Sequence, residues 1–324
     1  MNAEEGYTEA LRRVSTCQGV LDISRLSLTS LPELPDNLVV LSCNNNPLTS
    51  LPSFPSSLRE LRIGNTTLQR LPESLPASLE TLNCYKTPLS TLPDLPNSLT
   101  KLNCSETLIS SLPDTLPPNL LELYVSRTRI SQLPALPPSL IYLSIGTTSI
   151  SQLPALPENL IVLHCYDTKI SSLPDLPSGL INLDCAGTNI SYLPPLPKGL
   201  HSLVCTNSRL KVLPTLPNDL YILDIKYTPI YELPAEFPPF LTNLYCRGGL
   251  LPENDLFERP HQYLVRVQVF QRHIQAIKVV LAERESRRRI IKRCKEIKES
   301  LMAATWHPDR VLDWCDPHAF EYED

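Results

Sequence analysis

The chain has 324 residues, and 33 prolines against 9 glycines argue against an ordinary pair of compact domains. A net charge of -5 and 42% hydrophobic residues argue against a disordered polymer. The opening MNAEEGYTEALRR is polar and acidic and no run of about eighteen apolar residues occurs, so neither a cleaved export signal nor a membrane span is expected, and the ten cysteines are expected to be reduced thiols of an intracellular, cytoplasmic protein.

In chain order, residues 1 to 17 come first. The stretch TEALRRV predicts a short helix, placed to seal the open end of whatever apolar stack follows. Residues 18 to 252 then repeat. Copies begin at Gln18, Leu38, Leu58, Leu79, Leu99, Leu120, Leu140, Leu160, Leu180, Leu200 and Leu220, each 20 or 21 residues long, with a truncated copy from Leu241. Most read LxxLxCxxTxLxxLPxLPxx. Leucines at places one, four, eleven and fourteen, exemplified by Leu79, Leu82, Leu89 and Leu92, cannot share one face of a straight strand, so the chain must coil. Places three to seven predict a short strand with four and six inward and three, five and seven outward. The LPxLP half lacks proline amide hydrogens, which suits an extended, polyproline-like return on the convex side and forbids a central helix there. One copy cannot bury its apolar face alone; copies must stack.

Place six is Cys43, Cys84, Cys104, Cys165, Cys185, Cys205 and Cys246 in seven copies, but Ile23, Ile63, Val125, Ile145 and Ile225 in the others. A metal ligand or nucleophile could not exchange with aliphatic side chains, so these cysteines read as core packing, with oxidative linkage between neighbours such as Cys165 and Cys185 as the alternative. Place nine carries Thr66, Thr87, Thr107, Thr128, Thr148, Thr168, Thr188 and Thr228, with Asn46 and Ser208 as variants; a stacked ladder of hydroxyls is expected to satisfy backbone groups there. Outward places three, five, seven and eight carry Tyr85, Tyr124, Tyr142, His164, Tyr166 and Asp167, the expected partner-binding residues, because tyrosine offers large contact area at low entropic cost.

Residues 253 to 324 change period and form a predicted helical module with an acidic tail. Val267, Phe270, Ile274, Ile277 and Leu281 recur at threes and fours, as do Ile290, Cys294, Ile297 and Leu301, which marks amphipathic helix; the first stripe is expected to cap the last strand, with a partner helix or self-association as the alternative. From Arg284 to Lys298 there are eight Lys or Arg against two Glu, a run that could bind nucleic acid or serve as a nuclear address, or else be a solvated helix face. His307, Pro308 and Asp309 match the HPD of a J-domain, yet the stretch after Arg310 leaves no room for its packing helices; a short helix opened by Pro308 and stopped at Asp316-Pro317 is the simpler reading. Cys294, His307, Cys315 and His318 lack the spacing of a zinc site apart from the last pair.

The Leu-Pro placement over residues 18 to 252 resembles the short leucine-rich repeats of secreted enterobacterial effectors, departing by Cys at their Val place and Thr at their Asn place. The resemblance implies a leucine-rich repeat solenoid of the α/β class, with short parallel strands on the concave face. Some of those effectors carry a ubiquitin-ligase domain with a reactive cysteine close to an aspartate; Cys315 and Asp316 are adjacent here, but residues 253 to 324 are too short for that domain. The Cys/Thr version of the repeat, with the His307-Pro308-x-Arg310 box and Trp314, resembles repeat proteins of large DNA viruses such as the marseilleviruses and implies partner binding in an infected cell. No phosphate-binding glycine loop, paired acids or nucleophile with its base appears, so no catalytic residue, metal or cofactor is assigned. The reading is a non-enzymatic protein-interaction module with an unidentified protein partner, against two alternatives: an effector enzyme or co-chaperone activity in residues 253 to 324, or a structural virion component.

Overall fold

The computed structural model describes residues 2–249, 251 and 259–282, with side chains of the last helix described as far as residue 272. Each repeat forms one rung of a solenoid. Among the described residues, twelve three-residue strands run from β1 (Val20–Asp22) to β12 (Asn243–Tyr245) and pair in sequence order as one parallel sheet. The register follows the repeat place for place: Glu122↔Tyr142, Leu123↔Leu143 and Tyr124↔Ser144 join β6 (Glu122–Tyr124) to β7 (Tyr142–Ser144).

The strands occupy places three to five, not three to seven as the alternation suggests. Pairing nevertheless continues beyond them. The Cys84 amide donates to Asn103 (2.8 Å) and the Lys86 amide to Ser105 (2.8 Å), so places six and eight also bond to the next rung. What ends the strand is a left-handed residue at place eight of every rung, including Lys86 (φ 55°), Glu106 (φ 57°), Arg127 (φ 57°), Thr147 (φ 57°) and Asp167 (φ 50°). Such a φ turns the backbone out of the sheet and is disfavoured for side chains other than Gly, Asn and Asp. The sequence hides it because only about half of the rungs place one of those three residues there.

Place six carries the next constraint. Its carbonyl points along the bend, and the place-nine hydroxyl of the same rung donates to it: Thr87 to Cys84 (2.6 Å), Thr148 to Ile145 (2.8 Å), Thr188 to Cys185 (2.7 Å). The hydroxyls therefore form a column without bonding from rung to rung, which corrects the expected ladder. Asn46 does connect rungs: its amide nitrogen donates to the Ile23 and Cys43 carbonyls (2.9 Å each) and its oxygen accepts from the Leu26 and Leu28 amides (2.9 and 3.1 Å). Threonine is too short for that reach.

The core lies toward the strands. Leucines at places one, four and eleven, such as Leu79, Leu82 and Leu89, are fully buried, whereas Leu92 and Leu95 are only half-buried. Among the described residues the return segments carry neither helix nor named strand. Each return closes with a tight turn, as where the Leu79 amide donates to Pro76 (3.0 Å).

Both ends carry helices. Helix α1 (Ala3–Ser15) starts well before TEALRRV, at a capping box in which Asn2 accepts from the Glu5 amide (2.8 Å) and Glu5 from the Asn2 amide (3.1 Å). It buries Gly6 and Ala10 against the first rung, and a Cβ on Gly6 would fall 1.7 Å from the Leu26 carbonyl oxygen. Arg13 fastens the helix by donating to the Asp22 carbonyl (2.8 Å). At the other end α2 (Pro260–Ala282) buries Tyr263, Leu264 and Val267 in the same core, while Gln268 and Gln271 donate to the Ala235 and Tyr231 carbonyls (2.8 and 3.2 Å). Phe270 is half-buried; the side chains of Ile274, Ile277 and Leu281 lie outside the described residues. Outside them too lie Ile290, Cys294, Ile297, Leu301, the basic run Arg284 to Lys298, and the His307, Pro308, Asp309, Arg310, Trp314, Cys315, Asp316 and His318 positions. No described helix is long and apolar enough to cross a membrane.

Two substitutions test these contacts. Gly6→Ala should lower stability by roughly 1–3 kcal/mol in urea denaturation despite its better helix propensity, because the methyl meets backbone that cannot yield. Thr148→Val, nearly isosteric, should cost about 1–3 kcal/mol by leaving the buried Ile145 carbonyl unpaired; an unchanged midpoint would show that the hydroxyl column is not structural.

Candidate functional site

Alternation within the short strands puts places three and five on the concave surface, and rungs 5 to 9 fill it with one connected row. Lys101 Nζ lies 2.6 Å from Glu122 Oε2, the Tyr124 hydroxyl donates to the same carboxylate at 2.7 Å, and the Tyr124 and Tyr142 rings stack with centroids 4.6 Å apart. Tyr142 meets the His164 ring edge-on at 5.4 Å, and its hydroxyl lies 3.0 Å from His164 Nδ1. The row zigzags because place five of one rung is diagonal to place three of the next, a separation that aromatic side chains can bridge.

Burial raises the Tyr124 hydroxyl well above its ordinary pKa, and its bond to Glu122 adds to the effect. Burial also raises Tyr142. For Glu122 burial opposes the charge, but bonds from Lys101 and Tyr124 outweigh it and hold the carboxyl below its usual value. The tyrosines thus stay protonated as rigid, partly exposed plates.

Of the six residues expected from sequence, Tyr124, Tyr142 and His164 come together in this row. Tyr166 lies one column away, its ring over the backbone of Gly146, where a Cβ would sit 2.4 Å from the ring. Asp167 is on the rim, with its carboxylate folded over Gly187 of the next rung. Tyr85 stands apart on rung 4, where the negative charge of Glu106 raises its hydroxyl. Lys101, Glu122 and Asp184 also belong to the site; the sequence shows their outward places three and five but not the contacts that join them to the tyrosines. Place two carries no role in the sequence pattern, although Leu121, Ile141, Ile161 and Ile181 occupy it in four consecutive rungs after Val39, Arg59, Glu80 and Thr100.

Asp184 follows His164 along place five. Burial raises its carboxyl above the ordinary value and the charges of Asp167 and Asp224 push the same way, against the Ala186 amide (3.1 Å) and His164. Asp224 is paired with Lys226 at 3.0 Å, whereas neither Asp167 nor Asp184 has an ion-pair partner among the described residues.

The place-six cysteines are all buried and free of disulfides. Burial pushes the Cys43 and Cys84 thiols up to about 12 and raises Cys104 and Cys165 as well. The Cys43, Cys84 and Cys104 thiols donate to backbone, to the Arg62, Asn103 and Tyr124 carbonyls (3.6, 3.4 and 3.7 Å). Such thiols are poor nucleophiles and poor ligands. Among the described residues no group of three or more His, Cys, Asp or Glu could hold a metal ion.

Solved structures share this architecture. YopM from Yersinia enterocolitica WA-314 is 39% identical with a TM-score of 0.66 over 68% of this chain and 49% of its own, so the chain spans about half of that protein. The fold is a leucine-rich repeat solenoid. The leucine-rich effector YopM from Yersinia pestis matches at 26% identity and a TM-score of 0.58, over 76% of this chain and 89% of its own. A chain of the octameric complex of latrophilin 3, Unc5D and FLRT2 shares the fold at 21% identity and a TM-score of 0.57, over 77% of this chain and 95% of its own. The chain matches no protein-family model and no curated protein.

The raised Asp184 carboxyl has a thermodynamic sign. An acid whose folded pKa lies above its unfolded value favours folding below the unfolded value and loses that contribution as pH rises through the folded one. At neutral pH the charge therefore opposes folding. Asp184→Asn, which keeps the oxygen facing the Ala186 amide, should stabilise the protein at pH 7 by under about 1 kcal/mol, since the side chain still touches water. The gain should vanish near pH 3; thermal melts of both proteins across that range check it.

Proposed function

We propose that the protein is a non-enzymatic binding module whose concave face docks another protein. The observation that carries this reading is the Tyr124, Tyr142 and His164 row, flanked by Tyr166: aromatic plates immobilised by neighbouring rungs and left partly in solvent. Ordering such side chains before contact lowers the entropic cost of binding, and tyrosine supplies both apolar area and a hydroxyl. The Yersinia effectors and the latrophilin 3, Unc5D and FLRT2 assembly support it, since the same fold serves there in an effector and within a protein complex. Residues 1–17 and 253–324 act in this reading as the two end caps of an 18–252 binding surface. The resemblance to repeats of large DNA viruses sets the encounter in the cytoplasm of an infected cell, with a host protein as partner.

Affinity capture from such cells followed by mass spectrometry tests it. Replacing Tyr124, Tyr142 and Tyr166 together by Ala should remove the captured partner, a loss of at least about tenfold, while the circular dichroism spectrum stays that of the parent. Undiminished capture would reject this face.

A further inference from the structure

Place two forms a second row beside the aromatic one. The Ile141 amide donates to Leu121 (2.8 Å), Ile161 to Ile141 (2.8 Å) and Ile181 to Ile161 (2.9 Å), which sets these four residues in line along the lip where the chain enters the strands. Leu121 is 38% and Ile161 36% exposed, and Ile141 and Ile181 are half-buried. The row is bounded. On its early side place two holds Thr100, Glu80 and Arg59, the last two joined as an ion pair, and on its late side His201. Rungs 6 to 9 thus carry the one run of consecutive aliphatic side chains along this lip among the described residues, Val39 standing alone on rung 2 and Tyr221 on rung 11.

Charge is distributed just as unevenly. At the outward strand places of rungs 3 to 6 every charge is matched, Glu60 with Arg62 and Glu122 with Lys101, and beyond the strands Glu106 lies 3.9 Å from Arg127. On rung 9 Asp184 continues the place-five line of the aromatic row, and Asp167 of rung 8 lies on the rim close enough for its charge to act on Asp184; neither has an ion-pair partner among the described residues. The apolar lip is therefore paired, across the concave face, with uncompensated negative charge.

We infer that rungs 6 to 9 receive a basic amphipathic α-helix of a protein partner, its apolar stripe on Leu121, Ile141, Ile161 and Ile181 and its Lys or Arg flank toward Asp167 and Asp184. This rests on the reading of the concave face as a protein-docking surface and adds the partner's shape and charge.

Spacing selects the helix. Rungs repeat at about 4.8 Å, so the four-residue row spans about 14 Å. Successive residues on a helical stripe rise about 5.4 Å, covering about 16 Å in the same three steps. An extended peptide presents alternate side chains about 6.7 Å apart, or about 20 Å, and drops out of step after one rung. Strand addition is also closed to it: every strand from β6 to β9 (Asn182–Asp184) is paired on both sides, which leaves no free edge. Aromatic rings between lip and acids give the helix apolar floor, and a cation from its flank would offset the burial, and the lesser repulsion from Asp167 and Asp224, that raise the Asp184 carboxyl.

The test titrates the full chain with three fluorescein-labelled synthetic peptides, read by anisotropy: a helix with Leu at i, i+3 and i+4 spacing flanked by Lys, the same helix with Glu for Lys, and a Leu-Lys alternating peptide of equal composition to the first. The Lys helix should bind at least about tenfold more tightly than either control. Ile141→Gln with Ile161→Gln, which leaves the buried core untouched, and separately Asp167→Asn with Asp184→Asn, should each weaken it by about tenfold or more. Equal binding of the Glu helix or of the alternating peptide, indifference to either pair of substitutions, or no binding of any probe would overturn the inference. The two readings separate cleanly. If the tyrosine variant loses its captured partner while no probe binds, docking on the concave face stands and the helical, basic partner falls; if the Lys helix binds in the way described while capture ignores the tyrosines, the helix site stands and the tyrosine row falls as the anchor of the captured protein.

Discussion

The bond on which this architecture depends is the backbone pairing of each rung with the next in strict register. It runs from the place-two amide, through the three strand residues, to the amide of place eight, so a rung is attached to its neighbour along about a third of its length. Parallel pairing without slippage requires copies of nearly constant length, and the 20- or 21-residue period supplies that. Longer copies absorb their additional residue in the return segment, where no ladder is disturbed. The left-handed residue at place eight and the hydroxyl at place nine both follow from the pairing: one turns the chain out of the sheet, the other satisfies the carbonyl stranded by that bend.

The same register makes the surface. Because equivalent places line up along the sheet, any residue type repeated at one place becomes a stripe, and any change of type becomes a boundary. Tyr124, Tyr142 and His164 touch because their places are diagonal on consecutive rungs, not because they are close in sequence. Asp184 then stands where burial opposes its charge and no described Lys or Arg balances it, a cost of the kind that proteins carry at binding surfaces and seldom elsewhere.

Much of the fold was legible in the sequence because the leucine spacing admits no straight strand and the Leu-Pro pairs admit no helix. The inward direction of place six could be read from the exchange of Cys84 with Ile63 and Val125. Strand length could not, since it is set by a backbone dihedral at place eight that Lys86, Glu106 and Thr147 adopt against their own preference. The extent of α1 was missed at Asn2 and Glu5, whose capping box starts the helix ahead of TEALRRV; Gly6 follows it because the helix comes close to the Leu26 carbonyl. Of the site, side-chain types were visible and contacts were not. Tyr85 was an outward tyrosine like Tyr124, but it stands at place seven of rung 4 and Tyr124 at place five of rung 6, so both column and rung separate it from the row.

The sulfur distribution carries one more consequence. Thiols sit in rungs 2, 4, 5, 8, 9, 10 and 12, all of them buried in the stack. A solenoid opens segment by segment, from wherever its nearest-neighbour contacts are weakest. The protein therefore carries an internal set of markers for its own unravelling: a brief pulse of alkylating reagent at intermediate denaturant would brand those segments that had opened, and peptide mapping of the brands would give the order in which the stack comes apart.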